Sequence, residues 1–280
     1  SMDIRAGLES ATEKTRPGRR PRKNGAKPRR PGSQSRGGGL FGFRKLAGRT
    51  SQQIEACERA IELLAALVSE YPDNSDYRLQ LARALHTQTR YAFGEKGADA
   101  ESKSLQSAIK HLEHLAAAFP DAHVFQYELA NVLSTPLAKS QGQSQRLARA
   151  VALSRGLLAA SPDLPEYQSL AGDCFRQLAE SQAKADDLNA AAASYKQAIA
   201  YQKPLAERFA DTPLAQQSYA RSLSGLADVH IRLKQSASAR AVLDEAIRRI
   251  ESVKSHGKRQ FLLERFITDL KSRRSKLTDR

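Results

Sequence analysis

An alanine followed by isoleucine or valine returns in one register along this chain, at Ala60-Ile61, Ala108-Ile109, Ala150-Val151, Ala198-Ile199 and Ala246-Ile247. The steps are 48, 42, 48 and 48 residues. Three residues before each pair stand Cys57, Leu105, Leu147, Tyr195 and Leu243, and seven after the alanines stand Leu67, Leu115, Leu157, Leu205 and Val253. Asp73, Asp121, Asp163 and Asp211 follow at a fixed interval, after Pro72, Pro120, Pro162 and Ala210. Where a fifth aspartate would fall the chain has Arg259, so the repeat ends there. A unit of this size cannot bury its own apolar face, so it must stack on its neighbours. Such a stack presents a continuous surface, which points to binding.

Within each unit the apolar residues keep helical spacing. Ile54, Cys57, Ile61, Leu64 and Val68 share one face at steps of three and four, up to the break at Tyr71-Pro72-Asp73-Asn74-Ser75. Helices leading into the breaks are expected at 52–70, 101–118, 143–160 and 187–209. Helices leaving them are expected at 75–93, 122–134, 165–183 and 213–234, with two more at 236–254 and 258–276. No segment alternates with period two between hairpin turns, so no strands are predicted. The short step falls at Pro136 to Gly142, where stacking should deviate.

Charge divides the chain differently. Residues 1–50 hold 14 Lys or Arg against 3 acids, whereas the remainder holds 31 against 27. The run 14–39 has no Leu, Ile, Val or aromatic residue, so nothing in it offsets the entropy of folding. We therefore expect a disordered basic tail over 1–50, repeats over 51–256 and a capping helix over 257–280. Arg19, Arg20, Arg22, Lys23, Lys27, Arg29 and Arg30 can neutralise phosphates weakly and without sequence preference, or serve only as a solubilising linker. The longest apolar run, Leu63 to Val68, is too short to span a bilayer. The expected location is cytoplasmic, unless a longer parent protein carries an anchor.

Catalytic and metal motifs are absent by the same reading. His111 and His114 lack the spacing of a metal site, Cys57 occupies the core position that Leu105 fills elsewhere, and no glycine-rich loop joins a strand to a helix. Asp186-Asp187 and the Pro-Asp pairs precede helices, where capping explains them better than carboxylate chemistry does. No catalytic residue, cofactor or metal ligand is predicted.

The later repeats resemble the tetratricopeptide family. Leu223, Leu226, Ala227, His230, Ala239, Leu243 and Ala246 match its alternation of large and small positions, and Phe175, Leu178, Ala179, Ala191, Tyr195 and Ala198 match it with Gln182 as the exception. The earlier copies are degenerate. The resemblance implies an all-α, right-handed superhelix of paired helices that binds a protein or peptide in its concave groove. The family's unit is about 34 residues, so three steps here are longer, and the surplus adds about 10 Å to each helix flanking the Pro-Asp turn. Elongated arrays of this kind resemble those attached to bacterial signalling proteins such as kinases and sigma-factor regulators. Carrying the family's groove positions over gives Arg83, His86, Arg90, Asn131, Ser134, Asp173, Arg176, Glu180, Arg221, Asp228 and Arg232. The carboxylate clamp of chaperone-binding members is not matched, since His86, Arg90, Thr135, Asp173 and Gln177 stand in its places. The mixed charge implies a ligand carrying both signs. A nucleic-acid- or ribosome-associated adaptor using the tail, and a detached regulatory region, are the alternatives.

Overall fold

The computed structural model describes residues 38–91, 97–136, 142–253 and 258–277, with side chains from residue 52 onward and not at 90–91, 97–102 or 258–259. The chain divides into two compact units, Ser1–Leu46 and Ala47–Arg280, and the repeats lie in the second. The described residues are helical throughout, without a strand: α1 (Gly38–Glu70), α2 (Ser75–Tyr91), α3 (Gly97–Ala118), α4 (His123–Leu133), α5 (Gln143–Ala160), α6 (Pro165–Lys184), α7 (Leu188–Arg208), α8 (Pro213–Arg232), α9 (Ser236–Glu251) and α10 (Lys258–Ser275). Helix α1 starts upstream of the predicted residue 52. The tail candidates Arg19 to Arg30 lie outside the described residues.

The Pro-Asp break is one turn built four times. The N–H groups of Tyr71, Phe119, Ser161 and Phe209 each donate to the carbonyl four residues back, at 2.8–3.0 Å. The side chain six residues after a turn carbonyl then donates to it as a latch: Arg78 to Pro72 O at 2.8 Å, Gln126 to Pro120 O at 2.7 Å, Gln168 to Pro162 O at 2.9 Å and Gln216 to Ala210 O at 3.2 Å. The aspartates do not cap. The N-cap positions of α4, α6 and α8 are Ala122, Leu164 and Thr212, none with a side-chain cap bond. The turn places these aspartates one residue too early, and the latch satisfies a carbonyl instead. Asp187 does cap, accepting from the Ala190 N–H at 3.2 Å. Asp186 and Lys234 take φ of 63° and 59° at equivalent turns. There the N–H groups of Asp187 and Gln235 close back onto Gln182 O and His230 O.

Helices pair as α2–α3, α4–α5, α6–α7 and α8–α9, each pair packing on the next. The interfaces run on small residues: Ala82, Ala108, Ala130, Ala150, Ala171, Ala179, Ala198, Ala220, Ala227 and Ala246 are fully buried. Leu105, Leu112, Leu115, Leu133, Leu147, Leu157 and Leu243 fill the spaces between them. Closest approach comes at two glycines. A Cβ on Gly172 would lie 2.6 Å from Gln202 Cγ, and one on Gly225 would lie 2.3 Å from the Tyr195 ring. Helix α7 therefore sits deep between α6 and α8. The short repeat step appears as a short helix, since α4 has 11 residues against 20 in α6 and in α8. Arg146 donates to Leu133 O at 2.9 Å at its truncated end.

At the ends of the array, Ile61, Leu64 and Val68 of α1 pack on the first core cluster, and α10 packs on α9. Leu263 and Leu270 are 2% and 0% exposed among Leu243, Ile247, Ile250 and Val253, with Phe266 and Ile267 beside them. Phe261 and Leu262 face outward instead, at 63% and 51% exposed. Arg274 pairs with Asp244 and Lys271 with Glu251, tying α10 to α9. Leu270→Ala should lower unfolding stability by about 2–5 kcal/mol through transfer and cavity costs. Phe261→Ala should change it by under about 0.5 kcal/mol. Urea denaturation of the two variants checks this contrast.

Candidate functional site

The groove positions lie on α2, α4, α6 and α8, and most of them are already engaged. Arg83 reaches Glu128 of α4 at 2.5 Å, and His86 Nε2 lies 2.8 Å from Thr135 Oγ1. Ser134 is buried and donates to Asn131 O at 2.8 Å. The Arg90 side chain lies outside the described residues. On α6, Arg176 bonds Glu180 at 2.6 Å and Asp173 at 3.4 Å. Burial pushes the Asp173 carboxyl upward, while Arg176 and then Arg221 pull it back.

Helix α8 continues the pattern. Asp228 accepts from Arg273 of α10 at 2.5 Å, and the same guanidinium donates to Ser224 Oγ at 2.5 Å. Arg232 bonds Asp186 at 2.5 Å and Ala183 O at 2.6 Å. Most of these pairs are exposed and add little stability. Their consequence is chemical: Asp173, Glu180, Asp186 and Asp228 are all held by arginines of this chain. Lys184 and Arg221, by contrast, make no hydrogen bond or ion pair among the described residues, and both are exposed.

Four of the groove residues meet at one place. Glu180, Arg221, Asp228 and Arg232, with Lys184, Ser224 and Gly225, line a cavity of about 400 Å³ floored by Tyr195. Burial raises the Tyr195 phenol well above its ordinary range, so it stays a neutral hydroxyl. Arg83, His86, Asn131 and Ser134 belong to the α2–α4 end and do not line this cavity.

A second cavity, of about 280 Å³, was not foreseen from the sequence. Tyr127, Glu166, Ser169, Leu205, Phe209, Leu214 and Ser218 line it, with Gln202 at its inner edge. Glu166 and Ser169 fall seven and four residues before Asp173, and Leu214 and Ser218 fall seven and three before Arg221. They thus share the groove face of their helices. The signal was present in the surplus of the 48-residue step, which lengthens that face towards the Pro-Asp turn. A third cavity, of about 400 Å³, lies between α5 and α7 around Arg155 and Phe175. Among the described residues no group of His, Cys, Asp or Glu is arranged to hold a metal ion, and no helix is long and apolar enough to cross a membrane.

Stacked hairpins with cavities on their inner helices define a helical-repeat scaffold. Residues 104–206 match the family model described as TPR-S, Tetratricopeptide Repeats-Sensor, so the repeats from α3 to α7 are of tetratricopeptide type. The match lies upstream of the copy at Leu223 to Ala246, which keeps the repeat pattern most fully. No curated protein matches the chain. A solved structure described as "MamA RS-1 ArsTM double mutant" is 14% identical with a TM-score of 0.45, covering 77% of this chain and 97% of that one. Yeast Tom70 is 11% identical with a TM-score of 0.22, covering 79% of this chain and 60% of its own.

The two cysteines separate by environment. Cys57 is half-buried and donates to Ala84 O at 3.5 Å. Cys174 is wholly buried, and burial pushes its thiol up to about 12, helped by the Asp173 charge. Thiolate is the reactive form, so a maleimide should label Cys57 in the native protein and Cys174 only on unfolding. Raising the pH from about 8 to 10 should speed labelling of Cys57, while Cys174 stays unlabelled in the folded protein. The folded-state thiol of Cys174 titrates above its unfolded value. Its contribution to stability is therefore complete below pH 9.0 and lost as the pH rises towards about 12. Mass spectrometry of labelled peptides across that range checks the assignment.

Proposed function

We propose that this array is a non-catalytic scaffold that binds a segment of another protein in the groove of α4, α6 and α8. Tetratricopeptide-type repeats generally mediate protein–protein interaction. The observation that carries the reading is the α6–α8 cavity, where Arg221 and Lys184 make no hydrogen bond or ion pair among the described residues. Exposed guanidinium and ammonium groups beside a concave surface are suited to carboxylates of an incoming chain. Two free thiols fit a reducing compartment such as the cytoplasm. The net charge of residues 1–50 favours, as a second reading, weak and salt-sensitive contact with nucleic acid beside the protein partner.

Reversal of Arg176 is a poor test, because it would break the pairs with Asp173 and Glu180. Lys184→Glu with Arg221→Glu is the cleaner choice, since both side chains are exposed and their loss should cost under about 0.5 kcal/mol each. The double variant should keep its circular dichroism and lose at least tenfold in capture of the proteins that the intact chain retains from a lysate. Unchanged capture by the folded variant would move the binding surface away from α6 and α8.

A further inference from the structure

We infer that the groove is a two-anchor site for an extended acidic segment of a partner protein, with an apolar side chain in the Leu205–Phe209–Leu214 cavity and a carboxylate three residues away on Arg221. The inference rests on the scaffold reading above and specifies its ligand. The two cavities share their walls, α6 and α8, and their floor, α7. They differ in chemistry. The first is walled by Tyr127, Leu205, Phe209 and Leu214, and the second by charged residues.

Two large apolar side chains stand exposed at the first cavity. Leu214 is 70% exposed and Phe209 37% exposed, although a solvated groove face has no structural need for either. Gln202 closes the inner edge, 3% exposed, with its Oε1 accepting from Ser222 Oγ at 2.6 Å and its Nε2 turned towards Gly172 of α6.

Charge complementarity sets the rest of the ligand. A groove with free carboxylates would select a ligand of both signs, as the residue list alone implied. Here Asp186 and Asp228 each bond an arginine, Arg176 serves both Asp173 and Glu180, and Arg221 lies near enough to draw the Asp173 carboxyl down, whereas Lys184 bonds none of them. On the second cavity's own lining Lys184, Arg221 and Arg232 stand against Glu180 and Asp228, an excess of one positive charge. Glu166, at the rim of the apolar cavity, opposes a carboxylate there and places the acid on the Arg221 side.

Spacing follows from helix geometry. Leu214 and Arg221 are seven residues apart on α8, about 10 Å, and Arg221 to Arg232 is about 16 Å. An extended chain covers about 3.3 Å per residue. An apolar anchor, an acid about three residues on and a second acid about five residues further would thus reach Arg221 and then the Lys184–Arg232 end.

Selection of phage-displayed random dodecamers on the full chain tests this, with the enriched peptides synthesised and their affinities read by fluorescence anisotropy. Enriched peptides should share the apolar-to-acid spacing. Leu214→Glu and Arg221→Glu should each weaken them at least tenfold, and Phe261→Ser on α10 should not. Leu214 and Arg221 are both exposed, and circular dichroism confirms that the variants fold. Peptides weakened by Arg221→Glu but indifferent to Leu214→Glu would overturn the two-anchor site while leaving the groove as the binding surface. Peptides indifferent to both would overturn the scaffold reading as well. An empty selection, or dimerisation of the chain abolished by Arg221→Glu, would also overturn the inference, the latter by assigning the groove to a second copy.

Discussion

The depth at which α7 sits between α6 and α8 governs the rest of this structure. Gly172 and Gly225 permit it, because any side chain at either position would overlap Gln202 or Tyr195. Fully buried alanines on all three helices extend the same close contact along their length. Packing at this distance has two results. It buries the aliphatic residues of neighbouring repeats in continuous clusters. It also makes α7 a floor rather than a wall, so that the inner faces of α6 and α8 stand above it as the two sides of a trough. Tyr195 closes the floor at one end and Phe209 at the other, 14 residues apart.

Repeat length then decides where the trough has useful chemistry. A 48-residue step gives α6 and α8 20 residues each, long enough for an apolar stretch before the charged one on the same face. The 42-residue step leaves α4 with 11 residues, and its contribution stops near Ser134. The charged cavity therefore belongs to α6 and α8, while α4 supplies only Tyr127 to the apolar one. At the far end Arg273 of α10 donates to Asp228 and Ser224, so α10 engages two residues of the charged cavity.

Helix number and the bounds of α2 to α10, to within a few residues, were legible because helical periodicity and the Pro-Asp break are local signals, and the alanine register fixed which faces pair. Glu180, Arg221, Asp228 and Arg232, named as groove positions on the family resemblance, line one cavity. Three features were not legible. Ion pairing between residues 45 or 46 apart, such as Asp228 with Arg273 and Asp186 with Arg232, depends on stacking distance rather than on spacing within a helix. The turn latch recurs in register at Arg78, Gln126, Gln168 and Gln216, but its change from Arg to Gln hides it among ordinary polar positions. On α10, three consecutive apolar residues at 261–263 leave the buried face ambiguous by periodicity alone. Packing on Ile250 and Val253 selects Leu263.

Photo-crosslinking of a selected peptide tests the central claim, a protein-binding trough floored by α7, most directly. A diazirine carried at the peptide's apolar position should form adducts, mapped by mass spectrometry, on Leu205, Phe209 or Leu214. Adducts on Arg155 or Phe175 of the opposite cavity, or within residues 1–37, would contradict it.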